Sequence, residues 1–195
     1  MAGKMKVLVF AGSAREESLN KKLARAAAKA IDAQGGEAVF IDLRDFPMPI
    51  YEGDLEAREG MPKEARRLRD LFVSHHAFLI VTPENNGSIP SLLKNCIDWL
   101  SRDVDGRSGL EPYKGKIIAI MAASPGAFGG VSVLHHLRQS LTKLLAFVIP
   151  DQFPLPKADQ AFGPDGALTQ GWQQKSVDTV VKSLLDVAAK LAPAS

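Results

Sequence analysis

Lys6-Val7-Leu8-Val9-Phe10-Ala11-Gly12-Ser13-Ala14-Arg15-Glu16-Glu17-Ser18-Leu19-Asn20 is the stretch that decides the fold. After Lys6 it runs apolar without a break to Ala11, the pattern of a strand buried on both faces. The run breaks at Gly12-Ser13. An alanine-rich segment follows from Leu19 to Ala33, with Leu23, Ala26, Ala27, Ala30 and Ile31 at helical spacing, and Gly35-Gly36 stops it. A strand that re-enters a helix in this way builds an anion cradle, because free backbone N–H groups converge there and the helix dipole adds positive potential. Ser13, Ser18 and Asn20 add donors, and Arg15 adds a guanidinium. A plainer reading also fits, with Ser18 only an N-cap and Arg15 a solvated charge. Neither G-x-G-x-x-G nor G-x-x-x-x-G-K-[ST] occurs in the chain. A phosphoacceptor site would need acidic residues at the end of this strand, where Phe10 and Ala11 stand instead.

The same alternation continues outward. Further strands are expected at Ala38 to Leu43, Ala77 to Thr82, Lys116 to Ala122 and, briefly, Ala146 to Ile149. Helices are expected at Pro62 to Val73, Pro90 to Leu100, Gly130 to Leu145 and Trp172 to Leu191. Phe46-Pro47-Met48-Pro49-Ile50-Tyr51 cannot be regular structure, since each proline removes a donor. Asp151 to Thr169 reads as a long loop packed on the surface or on a partner subunit. Repeating βα units with short apolar strands imply an α/β fold: a five-stranded parallel sheet with helices on both faces, in the order 2-1-3-4-5. The 195 residues fit a single domain, 1–195 with a core of about 5–191.

Bulk composition excludes several classes. A net charge of +2 with scattered Lys and Arg argues against a nucleic-acid partner, and against a strongly acidic electron shuttle. The single cysteine, Cys96, rules out an internal disulfide and a cysteine-cluster metal site. Met1-Ala2-Gly3-Lys4 leads directly into a strand, with no signal region expected, and no apolar stretch is long enough for a bilayer. A cytoplasmic location is the expectation, with no membrane association. The pairs His75-His76 and His135-His136 have no third ligand nearby in sequence, so structural roles are expected and no metal.

In such sheets ligands bind beyond the carboxyl ends of the strands, at the switch point between strands 1 and 3. The loops after Thr82 and Ala122 therefore matter beside the one after Ala11. Thr82-Pro83-Glu84-Asn85-Asn86-Gly87-Ser88-Ile89-Pro90 is bounded by prolines and offers fixed polar groups of the kind a flat heteroaromatic edge requires. Ala123-Ser124-Pro125-Gly126-Ala127-Phe128-Gly129-Gly130 lets backbone approach a ligand closely. Each also reads as an ordinary turn before a helix.

Gly12-Ser13-x-Arg15-x-x-Ser18-x-Asn20, then Pro83-Glu84-x-Asn86-Gly87-Ser88-Ile89-Pro90, then Leu93-Lys94-Asn95-Cys96-Ile97-Asp98-Trp99, resembles the NADPH-dependent FMN reductase family, and within it the bacterial quinone, chromate and azo-dye reductases. The resemblance spans roughly Lys6 to Leu191. It implies a flavodoxin-like three-layer sandwich, non-covalent FMN, and NADPH or NADH as electron donor. It also implies ping-pong transfer from nicotinamide to flavin N5 and on to a quinone, free flavin, azo or metal-oxyanion acceptor, in a homodimer or homotetramer. By the same resemblance Ser13, Arg15, Ser18, Leu19 and Asn20 hold the FMN phosphate and ribityl chain. Pro83, Glu84, Asn85, Asn86 and Gly87 border the isoalloxazine, and Ser124 and Gly126 close its far edge. No catalytic side chain is implied, since the flavin carries the chemistry. The family's second loop usually reads Pro-Glu-Tyr-Asn, so Asn85 replaces an aromatic wall. Cys96 stands where many members have alanine, which points to a small core residue. A non-catalytic flavin-binding redox carrier or sensor is the alternative reading.

Overall fold

The computed structural model describes residues 4–191, so the ends of the expected domain, 1–3 and 192–195, lie outside the described residues. Five parallel strands, β1 (Lys6–Ala11), β2 (Glu37–Ile41), β3 (Ala77–Thr82), β4 (Ile117–Ala123) and β5 (Phe147–Leu155), form one sheet in the order β2-β1-β3-β4-β5. This is the order expected from the sequence. The helices are α1 (Leu19–Ala33), α2 (Gly53–Glu59), α3 (Lys63–Ser74), α4 (Ser91–Leu100), α5 (Val131–Lys143) and α6 (Gly171–Leu191).

Strand side chains alternate between two apolar layers. Val7, Val9, Leu79, Val81, Ala119 and Met121 pack with α1 and α6. Leu8, Phe10, Phe78, Ile80, Ile118 and Ile120 pack with α3, α4 and α5. Apart from Lys6 at the start of β1 and Thr82 at the end of β3, the central strands are therefore apolar throughout, because both faces are covered. β1 pairs with β2 on one side (Val9↔Phe40) and with β3 on the other (Val9↔Leu79), which puts the switch point at its carboxyl end. There Gly12 N–H donates to Val81 O at 2.8 Å, carrying the pairing one residue beyond the strand.

Two elements differ from the sequence expectation. β5 does not stop at Ile149 but continues to Leu155. Its pairing with β4 jumps from Ile118↔Val148 to Ile120↔Gln152, so Ile149, Pro150 and Asp151 bulge out of the ladder. Pro150 reads as a strand terminator in sequence, but a bulge tolerates it. Arg138 of α5 takes up the carbonyls that the bulge frees, donating to Val148 O (2.9 Å) and Ile149 O (2.8 Å). The long loop expected from Asp151 is shorter by that much. The other difference is α2, a seven-residue helix with no buried residue. It gives no apolar period to read and depends on its N-cap, Glu52, which accepts from Asp54 N–H (2.7 Å) and Leu55 N–H (2.8 Å).

The proline-rich stretch 46–51 is irregular, as expected, and α4 holds it. Pro49 O accepts from Trp99 Nε1 (2.8 Å) and Asn95 Nδ2 (2.9 Å), while Tyr51 N–H donates to Asn95 Oδ1 (2.7 Å). Trp99 is fully buried and Cys96 nearly so. Burial pushes the Cys96 thiol up to about 12, which leaves it protonated and inert near neutral pH.

Candidate active site

Three loops meet at the carboxyl end of β1, β3 and β4 and enclose a cavity of about 440 Å³. That size is usual for a small-molecule site, about 300–1,000 Å³. Of the residues singled out in sequence, Ser13, Arg15, Ser18, Leu19, Asn20, Pro83, Glu84, Asn85 and Ser124 line it. Asn86, Gly87 and Gly126 do not. Gly12, Ala14, Pro90, Ser91, Leu92, Ala123 and Pro125 line it as well, and sequence reasoning missed them. Gly12 and Pro90 stand in the quoted motifs and Ala123 and Pro125 in the third loop, but the sequence assigns none of them to the ligand; Ala14, Ser91 and Leu92 have adjacency as their only signal.

The first loop packs tightly against α4. A Cβ on Gly12 would sit 3.1 Å from Leu93 carbons and from Thr82 Oγ1, so only glycine lets the chain pass there without displacing them. Ser18 then caps α1, its Oγ accepting from Lys21 N–H at 3.4 Å. Leu19 and Asn20 open the helix, and their N–H groups have no partner within it. Asn20 is buried and serves as a bracket. Its Nδ2 donates to Ala123 O (3.0 Å) and its Oδ1 accepts from Ala123 N–H (2.9 Å), tying the first loop to the end of β4.

The second loop is a two-residue hairpin. Asn85 N–H donates to Ser88 O (3.1 Å) and Ser88 N–H donates to Asn85 O (3.0 Å). Asn86 (φ 50°) and Gly87 (φ 74°) both have positive φ, the pattern of a type I′ turn. These two residues shape the loop and sit at its tip, away from the cavity. Glu84 points to α5 rather than to solvent. The N-cap of that helix is Gly130, which has no side chain to cap it, and Glu84 Oε2 takes that part by accepting from Val133 N–H (3.0 Å). His136, one turn on, contacts Ser88 Oγ at 3.0 Å.

The third loop is latched to the end of β5 and to the chain just beyond it. Ser124 N–H donates to Leu155 O (3.2 Å), and Ser124 O accepts from Ala158 N–H (3.0 Å). A Cβ on Gly129 would lie 2.7 Å from backbone carbons of Pro154 and Leu155, so this approach requires glycine. Gly126 serves the turn: its N–H donates to Ser124 Oγ at 3.2 Å.

Three of the four serine hydroxyls that line the cavity, all but Ser91, share one property. Ser13 Oγ accepts from Arg15 N–H (3.4 Å), Ser18 Oγ from Lys21 N–H and Ser124 Oγ from Gly126 N–H. Each oxygen is used as an acceptor, and each O–H proton is left to donate. Arg15 adds a cation. The only carboxylate in the lining, Glu84, has an oxygen committed to α5. Glu16 and Glu17 lie on the first loop outside the lining, and Glu17 pairs with Lys22 (3.0 Å). This donor-rich wall fits an anionic phosphate.

A model of the family described as NADPH-dependent FMN reductase matches residues 5–160. The chain belongs to this family. The quinone reductase of Escherichia coli (strain K12) is 36% identical over 149 residues, covering 76% of each chain. The NAD(P)H-dependent FMN reductase of Pseudomonas aeruginosa is 32% identical over 192 residues, 94% of this chain and 95% of its own. Among solved structures, the flavoenzyme NAD(P)H:(acceptor) oxidoreductase of Paracoccus denitrificans superposes with a TM-score of 0.79 at 29% identity, covering 96% of this chain and 98% of its own. As a member of the FMN reductase family, the protein is an oxidoreductase with FMN as cofactor and NAD(P)H as electron donor. Among the described residues no helix is long and apolar enough to cross a membrane, and no His/Cys/Asp/Glu cluster could hold a metal ion.

Proposed function

We propose that the protein reduces quinones with NAD(P)H and that FMN seats in the three-loop cavity. The observation that carries the seating is the set of three cavity-lining serines whose oxygens each accept a backbone N–H, which leaves their O–H groups available as donors. Ser13, Arg15, Ser18 and the N–H groups of Leu19 and Asn20 would hold the phosphate and ribityl chain. Pro83, Glu84 and Asn85 would border the ring on one side and Ser124 on the other. Asn86, Gly87 and Gly126 would act through loop shape. Bound there, FMN would supply the two-electron redox chemistry between a nicotinamide donor and an acceptor.

The chain's own groups bind, orient and polarise. Backbone N–H groups in fixed loops favour negative charge where it develops and need no reorganisation. The lining holds no His, Lys, Tyr, Cys or Asp, and Glu84 is engaged by α5, so no side chain is assigned a proton transfer. Donor and acceptor would use the same opening in turn, which supports ping-pong kinetics; intersecting initial-rate lines would reject it. The E. coli relative's name supports quinones as acceptors. Free flavin, azo dyes and metal oxyanions such as chromate belong to the same reading through the low selectivity of reduced flavin. So do a single-domain chain in the cytoplasm and a homodimer or homotetramer that would cover exposed Ile50, Phe128 and Trp172.

The test is an anaerobic titration. The protein is reconstituted with FMN, freed of excess flavin, and its visible spectrum followed as NADPH and then NADH is added. Prompt bleaching, reversed by a quinone, is the expected result. Flavin that binds but is not bleached would favour the carrier reading. Arg15→Ala should lower FMN affinity by about tenfold to a hundredfold, the loss of a charge-assisted bond worth about 1.5–3 kcal/mol.

A further inference from the structure

Arg44 belongs to none of the three loops and to none of the motifs. It follows β2 in a short 3-10 turn, Leu43–Asp45. Its guanidinium reaches back to the first loop and donates through Nε (3.1 Å) and Nη2 (2.8 Å) to the carbonyl oxygen of Ala14. Arg44 does not line the three-loop cavity. It stands behind the loop, in a charged groove with Glu16, Glu17, Lys21 and Asp42.

Its base is held from two sides. Arg44 N–H donates to Asp42 Oδ1 (3.0 Å), and Asp42 Oδ2 takes the ammonium of Lys21 (2.5 Å) on α1. Burial works against charge on Asp42, but Lys21 and Arg44 outweigh it and hold the carboxyl below its ordinary value. Asp42 is therefore ionised at neutral pH.

The consequence lies in one peptide plane. The Ala14–Arg15 bond is trans, so its C=O and N–H point in opposite directions. Arg44 takes the carbonyl on the outer side. The N–H is thereby turned inward, where it meets Ser13 Oγ at 3.4 Å on the cavity wall. That contact is what leaves the Ser13 proton free to donate. A cation on the carbonyl also polarises the peptide and strengthens its N–H as a donor.

We propose that Arg44 is a positioning residue for phosphate recognition. From behind the loop it fixes the Ala14–Arg15 peptide so that Arg15 N–H holds Ser13 Oγ and the Ser13 O–H is left to donate to an anion. The proposal rests on the seating of the FMN phosphate at Gly12–Asn20. Lysine would keep the charge at position 44 but not two parallel N–H bonds to one oxygen.

The experiment measures FMN and riboflavin binding to the apoprotein by flavin fluorescence, at low and high salt, for the wild type, Arg44→Ala and Arg44→Lys. Riboflavin lacks the phosphate, so it reports on the rest of the site. Arg44→Ala should weaken FMN about tenfold and leave riboflavin unchanged. Arg44→Lys should recover little of that loss, and the loss should persist at high salt. Unchanged FMN binding in Arg44→Ala overturns the proposal. So does an equal loss of FMN and riboflavin, which would mean a general loosening. So does full rescue by lysine at low salt that vanishes at high salt, which would mean a long-range charge effect. The underlying seating fails separately, and visibly, if the wild type itself does not prefer FMN to riboflavin.

Discussion

The first and second loops border the same cavity but are held in opposite ways. The backbone of the second loop holds itself. Its two backbone hydrogen bonds join Asn85 and Ser88, and the two residues between them supply the positive φ that the turn demands, while the side chains of Glu84 and Ser88 reach out to α5. The first loop is held by others, with Asn20 bonded to Ala123 across 103 positions of sequence and Ala14 bonded to Arg44 across 30. A self-held loop keeps its shape wherever it is placed. A loop held from outside has the shape of the whole sheet end, and it changes when any of its supports does.

That contrast can be broken at several points. The largest effect belongs to Asn20→Leu, which strips both partners from the buried Ala123 peptide. With about 1–3 kcal/mol for each of the two buried groups left unpaired, the apoprotein should lose about 2–6 kcal/mol in urea unfolding. A loss below about 1 kcal/mol would mean that the first loop does not depend on the bracket. Next is Glu84→Ala, which uncaps α5 and should cost about 0.5–2 kcal/mol, read as a Tm lower by a few degrees. Gly87→Ala places a side chain at φ 74° with open space around it, so only backbone strain applies, about 1 kcal/mol. A larger cost than Asn20→Leu would reverse the comparison.

The smallest effect is one of pH. Asp42 has a lowered carboxyl in the fold, so its contribution to stability is complete above the ordinary carboxylate value of 3.8 and is lost as pH falls through the lowered one. Asp42→Asn should therefore flatten the acid limb of the stability profile in that window and leave its shape near neutral pH unchanged. An acid limb identical to that of the wild type would show that the bracket behind the first loop contributes nothing.

What could be read from sequence follows the same division. Apolar runs of six residues, glycine stops and prolines before helices act locally, and they gave the strand order and the three loops. Serines at the first loop were legible as donors because Ser18 caps its own helix. Asn20 and Glu84 were legible as site residues, but not as brackets, since Ala123 and Val133 are their partners only once the sheet is assembled. Arg44 carried no signal, because a lone arginine after a strand looks like any surface charge. β5 was cut short for a related reason: Pro150 ends a strand locally, and only Arg138 on a neighbouring helix shows how the strand survives it.

That last strand also bears on how the molecule behaves in a crowded solution. β5 is an edge, and an edge with open N–H and C=O groups invites another chain to add a strand. Here Pro150 and Pro154 remove donors, the bulge bends the rim, and Arg138 occupies the freed carbonyls together with Gln152 Oε1 (2.9 Å). Sheet growth is blocked at this rim by the covalent chain itself. A strand added by another copy would meet gaps in its ladder at Pro150, Pro154 and the bulge, so this rim is a poor template for aggregation.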